Sequence, residues 1–266
     1  MQSRYGNHDV RISIRGFGSR SNSGIRGVRI LLDGIPESEP DGQTRIEAID
    51  FTAIGKIEVV KGNSSSLYTN APGGVMNFLS DIDFTKNFAL LDNDFGSYGL
   101  MKNALKIGIN SDNIRFMMTT SYENYDGYRQ HSNESQGRVN MTLLTELSPK
   151  TTLKIFGYYV NGLIKLPGSQ TLKEYNTDPF SSDATTLARD LKRITKKGRL
   201  GITYNTKFGK DDSNIIELTG YGTIKDLHRT DSRYRIFSRS GLGASFKYIN
   251  YATIADRHNE FTFGGD

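Results

Sequence analysis

Cysteine is absent from the 266 residues, which excludes disulfides, thiolate metal sites and a cysteine nucleophile. Tryptophan is absent too, so fourteen tyrosines and fourteen phenylalanines must supply any aromatic girdle at a membrane interface. No apolar run approaches the roughly 20 residues that a membrane-spanning helix needs. A β-barrel escapes that exclusion, and the mean hydropathy of −0.50 does not weigh against one. Barrel strands need only about 9–11 residues, alternate apolar with polar, and carry polar loops. Histidine is scarce: His8, His131, His228 and His258 fall at no metal-ligand spacing, and no carboxylate cluster joins them. They read as solvated loop residues, and no metal site is expected. Met1–Tyr5 leads into no apolar stretch of the kind a secretory signal contains.

Enzyme and nucleotide signatures are equally thin. Gly16-Phe17-Gly18 begins like a nucleotide-binding glycine loop, but Ser21 stands where the third glycine belongs and no long helix follows. The two glycines are expected to let the chain turn after a strand. Asp33 and Asp50 lack a Ser/His/Asp context, and Asp33-Gly34 reads as a strand end with a turn. No enzyme is expected. The net charge of +5 is concentrated in residues 1–30. Arg4, Arg11, Arg15, Arg20, Arg26 and Arg29 there face Asp9 alone, while the rest of the chain balances. No nucleic-acid motif or stacking platform accompanies this charge.

The stretch from Val10 to Asn77 organises the chain. Val10–Arg15, Val28–Asp33, Ile57–Val60 and Gly74–Leu79 read as short strands bounded by Gly or Pro. Ser64–Tyr68 could start one helical turn with a serine N-cap. The order and spacing of ISIRGFG (Ile12–Gly18), LLDGIP (Leu31–Pro36), IEVVKG (Ile57–Gly62), Ser65–Tyr68 and GGVMN (Gly73–Asn77) resemble the plug domain of TonB-dependent outer-membrane receptors. Two positions depart from the family pattern: Lys61 stands where arginine is usual, and Thr69-Asn70 where Gly-Asn or Gly-Ser is usual. Lysine keeps the charge but loses the planar fork, so an ion pair at Lys61 would not be bidentate.

Beyond Leu79 the pattern changes to period two. Leu105, Ile107 and Ile109 alternate with Ala104, Lys106 and Gly108; Leu200, Ile202, Tyr204, Thr206 and Phe208 alternate with Gly201, Thr203, Asn205 and Lys207. Similar alternation runs through Val139–Leu147 and Leu242–Tyr248. About nine strands are expected, near 87–97, 99–109, 113–125, 137–147, 152–161, 197–208, 214–225, 239–249 and 259–265. Short turns (Asn110–Asn113, Ser148–Thr151, Gly209–Ser213) alternate with longer connections (Asp126–Gln136, Gly162–Thr195, Asp226–Ser238). Tyr125–Ser132 (YDGYRQHS) also resembles the tip of the third barrel strand in siderophore-type members. The expected fold class is an α+β plug followed by an all-β region: residues 1–84 the plug, without its N-terminal part, and 85–266 the first strands of a large antiparallel transmembrane β-barrel. Plugged barrels have about 22 strands, so roughly nine make a fragment or the product of a truncated gene. An open edge would leave about ten backbone groups unpaired in lipid at several kcal/mol each, and the remaining strands are expected beyond Asp266.

The resemblance implies TonB-dependent import across the outer membrane of a Gram-negative bacterium, energised by a TonB–ExbB–ExbD complex. It also implies contact with outer-membrane lipid and lipopolysaccharide. In the plug fold the loops around Ser19–Gly24 and Glu37–Thr44 face outward. Arg20, Ser21, Asn22, Arg26, Glu39, Asp41 and Gln43 are therefore the candidate ligand-binding residues, and the paired arginines suit a small anionic ligand bound through bidentate hydrogen bonds. Ferric siderophores of the citrate type are one such class. SRSNSGIRG and EPDGQT are also similar to members importing pyrroloquinoline quinone. Arg11, Arg15, Arg29, Glu58 and Lys61 are expected in ion pairs within the plug or to the barrel, with Arg29 facing Glu58 across strands. Lys192, Arg193, Lys196, Lys197 and Arg199 read as a basic run ending the longest loop: a solvated rim, an anion funnel or a lipopolysaccharide contact. No resident cofactor is expected; iron would come only inside the transported ligand. A non-transporting β-rich binding module and an inactive truncated product are the competing readings.

Overall fold

The computed structural model describes residues 12–19, 24–39, 42–64, 68, 71–230 and 233–266. A four-stranded sheet comes first: β1 (Arg29–Leu32), β2 (Ile35–Pro36), β3 (Ile54–Lys61) and β4 (Gly74–Ser80), in the spatial order β2-β1-β4-β3. β1 runs parallel to β4; the other two pairings are antiparallel. Asp33 and Gly34 close the β1–β2 hairpin with φ of 51° and 81°. Two left-handed residues in sequence suit the twist of a two-residue hairpin, which is why an Asp-Gly pair stands there. A 3-10 turn over Phe51–Ala53 precedes β3, capped by the Asp50 carboxylate, which accepts from the Thr52 N–H.

Among the described residues, the expected strand Val10–Arg15 is not formed. Val10 and Arg11 lie outside the described residues, and Ile12–Arg15 contains only an isolated bridge from Ile14 to Phe17. Arg15 at φ 50° and Gly16 at φ 85° fold the chain back before a ladder can start. Ser65–Leu67, in the expected helical turn, also lie outside the described residues; the Tyr68 N–H donates to the Ser64 carbonyl at 2.9 Å.

The second sheet is a nine-stranded antiparallel meander in chain order. Its strands are β5 (Phe88–Phe95), β6 (Met101–Ser111), β7 (Ile114–Tyr125), β8 (Glu134–Ser148), β9 (Thr151–Lys165), β10 (Lys192–Phe208), β11 (Asn214–Thr230), β12 (Tyr234–Ile254) and β13 (Arg257–Gly265). All nine expected strands are present, and the later ones are longer than their apolar alternation suggested. The polar stretch 226–238 is therefore not a long loop: the ladder between β11 and β12 runs unbroken to Thr230↔Tyr234. Likewise β10 already starts at Lys192, so the connection before it covers 166–191. That connection holds two short helices, α1 (Leu172–Thr177) and α2 (Ala184–Ala188). Thr171 and Glu174 form a reciprocal capping box on α1, and Asp183 caps α2. The sheet does not close: β5 and β13 are its free edges.

Its two faces differ as period two requires. On β6, Ala104 and Lys106 are buried while Leu105 and Ile109 point outward. On β10, Arg193, Thr195, Lys197 and Arg199 are buried while Leu200 and Ile202 are exposed. The concave face receives the first sheet. Ile25, Val28, Ile30, Leu32, Ile35, Ile46, Ala48, Ile49 and Phe78 pack with Phe156, Tyr158 and Val160 of β9 in a single apolar cluster. Gly201 on β10 makes room for this contact: a Cβ there would lie 2.7 Å from Ile35 Cδ1 and 2.6 Å from the Phe156 ring.

Candidate functional site

Across the boundary between the small sheet and the concave wall, the charge pairs mostly place the carboxylate on the small sheet's segment and the cation on a strand. Asp33 accepts from Lys154 Nζ on β9 and from Ser80 N and Oγ. Glu37, fully enclosed, meets Lys197 Nζ at 2.5 Å, Arg199 Nη1 at 2.6 Å and the Tyr158 hydroxyl at 3.1 Å. Glu47 pairs with Arg193 Nη2 at 2.8 Å, and its backbone carbonyl accepts from Gln136 Nε2. Glu39 bridges two strands, one oxygen on Lys225 Nζ of β11 and the other on Arg239 Nη1 of β12. Asp81 meets Lys106 at 2.5 Å and Asp83 meets Arg115 at 3.1 Å. Asp50, considered above as a catalytic carboxylate, accepts from the Ser121 hydroxyl at 2.7 Å.

Burial raises the pKa of Glu37 and Glu47. Arg199 and Lys197 around Glu37, and Arg193 with Arg45 around Glu47, overcome it and hold both carboxyls below their ordinary value. Both are therefore ionised. Lys197 to Glu37 and Arg193 to Glu47 are charge-assisted hydrogen bonds in a water-poor setting, while Arg199 faces Glu37 as an ion pair and donates its Nη2 hydrogen bond to the Pro36 carbonyl.

The basic run Lys192–Arg199 is thus a strand and not a loop end. Arg193, Lys197 and Arg199 face inward and hold Glu47 and Glu37, while Lys196 alone of the run is exposed on the outer face. The missed signal was the two-residue spacing of 193, 195, 197 and 199 against the intervening positions. Glu37 and Glu47 carried no sequence signal, because nothing local tells a buried carboxylate from a solvated one.

Of the expected ion-pair residues, Arg29 and Glu58 do not meet, because β4 lies between their strands. Arg29 instead donates to Ser38 Oγ at 2.8 Å and Asp266 Oδ2 at 3.3 Å, while Glu58 pairs with Lys56 at 2.7 Å on its own strand. Arg15 and Lys61 are exposed and have no carboxylate partner among the described residues. Arg11, Arg20, Ser21, Asn22 and Asp41 lie outside the described residues. Arg26 is exposed, and Gln43 accepts from the Glu39 N–H through its backbone carbonyl at 2.8 Å.

At the end of the sheet carrying the longer connections, three loops join. Arg129 donates to the carbonyls of Ser181 and Gly168, Gln130 N–H donates to Phe180, and Tyr128 sits edge-on between Tyr98 and Phe180. In outer-membrane barrels the end that carries the long loops is the outward one.

Residues 1–75 match the family model of the TonB-dependent receptor plug domain. The chain therefore carries a TonB-dependent receptor plug domain. Members of this family are receptors and transporters of the Gram-negative outer membrane, not enzymes. The receptor chain is 24% identical over 211 residues to the metal-pseudopaline receptor CntO of Pseudomonas aeruginosa, an alignment covering 72% of this chain and 30% of that protein. It therefore spans less than a third of the length of the curated relatives it matches. Its fold superposes on the ferric citrate transporter FecA with a TM-score of 0.75 at 19% identity, over 98% of this chain and 43% of FecA. On the pyoverdine receptor FpvA of Pseudomonas aeruginosa PAO1 the TM-score is 0.69 at 13% identity, over 98% and 41% of the two chains. The small sheet is the receptor's plug, and the nine-stranded sheet is part of its barrel.

Proposed function

We propose that the receptor to which this chain belongs imports a scarce anionic ligand, of the ferric siderophore or metal-complex class, across the outer membrane. The observation that carries the reading is a plug seated against the lumen wall by enclosed ion pairs: Glu37 to Lys197 and Arg199, and Glu47 to Arg193. A barrier whose apolar contact with the wall is flanked by discrete ion pairs is one that a pulling partner can release and that can re-form in register. The TonB–ExbB–ExbD complex is that partner, acting through strand addition at a plug segment. Relatives named for metal-pseudopaline, ferric citrate and pyoverdine support a chelated metal as cargo. The ligand enters at the loop mouth and meets the plug loops carrying Arg20 and Arg26. The outward apolar rows of β6 and β10 face lipid, and Lys196 faces the lipopolysaccharide layer. No resident cofactor is needed, since any metal arrives within the ligand.

The test is uptake of radioactive iron presented as ferric citrate and as ferric siderophores, in a strain lacking its own receptors and expressing the complete receptor. TonB-dependent uptake of at least one complex is expected, and it should fall strongly when Arg20 and Arg26 are both replaced by alanine. Absence of uptake across such a panel, with the receptor folded in the outer membrane, would overturn the reading.

A further inference from the structure

The guanidinium of Arg199 lies between two aromatic rings. Its Cζ is 5.9 Å from the centre of the Tyr158 ring and 5.5 Å from that of Tyr221. Tyr158 stands directly opposite Arg199 on β9. Tyr221 stands on β11 opposite Gly201, on the diagonal from Arg199. Lys197, by contrast, has one ring among the described residues, that of Tyr158, at 5.8 Å. The second ring over Arg199 has a seat of its own. Gly243 of β12 faces Tyr221 across the ladder, and a Cβ there would lie 2.3 Å from Tyr221 Cζ and 2.4 Å from its hydroxyl oxygen. The ring lies down across the strand only because residue 243 has no side chain. The Tyr221 hydroxyl makes no hydrogen bond among the described residues, so its ring face is what it offers. The polar contacts of Arg199, to the Glu37 carboxylate and the Pro36 carbonyl, both belong to the plug and go with it. The two rings belong to the wall and stay, and arginine binds aromatic faces more strongly where water is excluded.

We propose that Tyr221, seated over Gly243, is a positioning residue: with Tyr158 it holds the Arg199 side chain in place on the wall while the plug is away, so that Glu37 returns to a cation already aimed at it. A free arginine side chain has rotamer freedom that it must give up on pairing. Between two rings that freedom is lost before the plug comes back, so the plug reseats faster and in one register. Opening is not slowed, because the ring contacts are the same before and after it. Lys197, with one ring and a flexible stem, adds charge without fixing direction. The inference rests on the reading that the plug leaves the barrel and re-enters it, but spontaneous opening is enough to test it, with no import required.

The experiment is hydrogen exchange at the β1 amides of the complete receptor in detergent. It is run where exchange reports the opening equilibrium, and again at higher pH where it reports the opening rate. Tyr221→Leu is expected to lower plug protection about tenfold, all of it as slower closing with the opening rate unchanged. Tyr221→Phe should match the parent, since the ring remains. Gly243→Ala, which pushes the ring off its seat, should act like Tyr221→Leu. In an Arg199→Met receptor, where Glu37 keeps its ion pair with Lys197, adding Tyr221→Leu should change protection by less than about twofold. Faster opening in Tyr221→Leu, or the same loss with and without Arg199, would mean that the ring only packs, and overturns the proposal. A Tyr221→Phe receptor as weak as Tyr221→Leu overturns it too. Import is scored separately by iron uptake. A receptor that shows these closing rates but imports nothing would count against the import reading alone. One that imports while Tyr221→Leu closes as fast as the parent would count against this inference alone.

Discussion

Glu37 and Glu39 are two residues apart on one plug loop, and each binds two barrel cations, yet they do different work. Glu37 reaches β10 with no exposed surface, and the Tyr158 hydroxyl donates to both of its oxygens. Glu39 reaches β11 and β12, where one of its partners is half in solvent. Coulomb attraction between the charges is similar; the surrounding medium is not. A charge left alone in the sealed site cannot be rehydrated, whereas one left alone in the open site can. The first pair is a sealed contact between plug and wall, and the second is open to solvent.

The largest way to break this comparison is Glu37→Gln. It keeps the volume and a partner for Tyr158 but leaves Lys197 and Arg199 buried without a counter-charge. Removing one side of a buried pair costs about 3–5 kcal/mol. The expected outcome is loss of most plug protection in hydrogen exchange while the barrel strands stay protected. Acid should do the same job. The folded pKa values of Glu37 and Glu47 lie below the ordinary 4.5, so their contribution is fully present above that value and is lost as pH falls through the depressed ones. Plug protection, corrected for intrinsic exchange, should therefore be flat from neutrality to about pH 4.5 and collapse only below it. A collapse that begins near pH 6 would mean that neither carboxylate holds the plug.

Gly201→Val sharpens the comparison from the apolar side. The added methyls would meet Ile35 and the Phe156 ring, both enclosed in the shared core. Overpacking of this kind costs about 1–3 kcal/mol. The expected signature is a weaker plug with an unaltered pH profile, because no charge has moved. If the pH midpoint shifts as well, packing and ion pairing are coupled more tightly than the separate contacts suggest.

Much of this architecture was legible in the sequence, and the reasons are physical. The barrel strands announced themselves because lipid on one face and plug on the other impose a two-residue period that no helix tolerates. Asp33-Gly34 announced a turn at a strand end, and that the turn closes a hairpin came only with the structure, where both residues are left-handed. The Thr171–Glu174 capping box was readable but lay unnoticed in a loop. Ion pairing was harder. The early arginines drew attention by their density, yet Arg29 and Glu58 lie on strands that β4 separates, and strand order is a long-range property that local spacing does not encode. The polarity of the plug–wall contacts escaped for the same reason: each carboxylate finds its cation 25 to 200 residues away.

Glu39→Gln carries the smallest expected cost and therefore tests the comparison most closely. Its partners retain access to water, and exposed or half-exposed pairs contribute about 0–1 kcal/mol. Lys225 and Arg239 would then face each other with a neutral amide between them, a repulsion that salt screens over about 8–10 Å. Chemical denaturation of the receptor should change by less than about 1 kcal/mol, and the difference should shrink as salt is added. Glu37→Gln should be far less sensitive to salt, since no ions reach its site. Equal costs and equal salt responses for the two substitutions would mean that burial does not distinguish these carboxylates, and that the sealed and the open contact hold the plug in the same way.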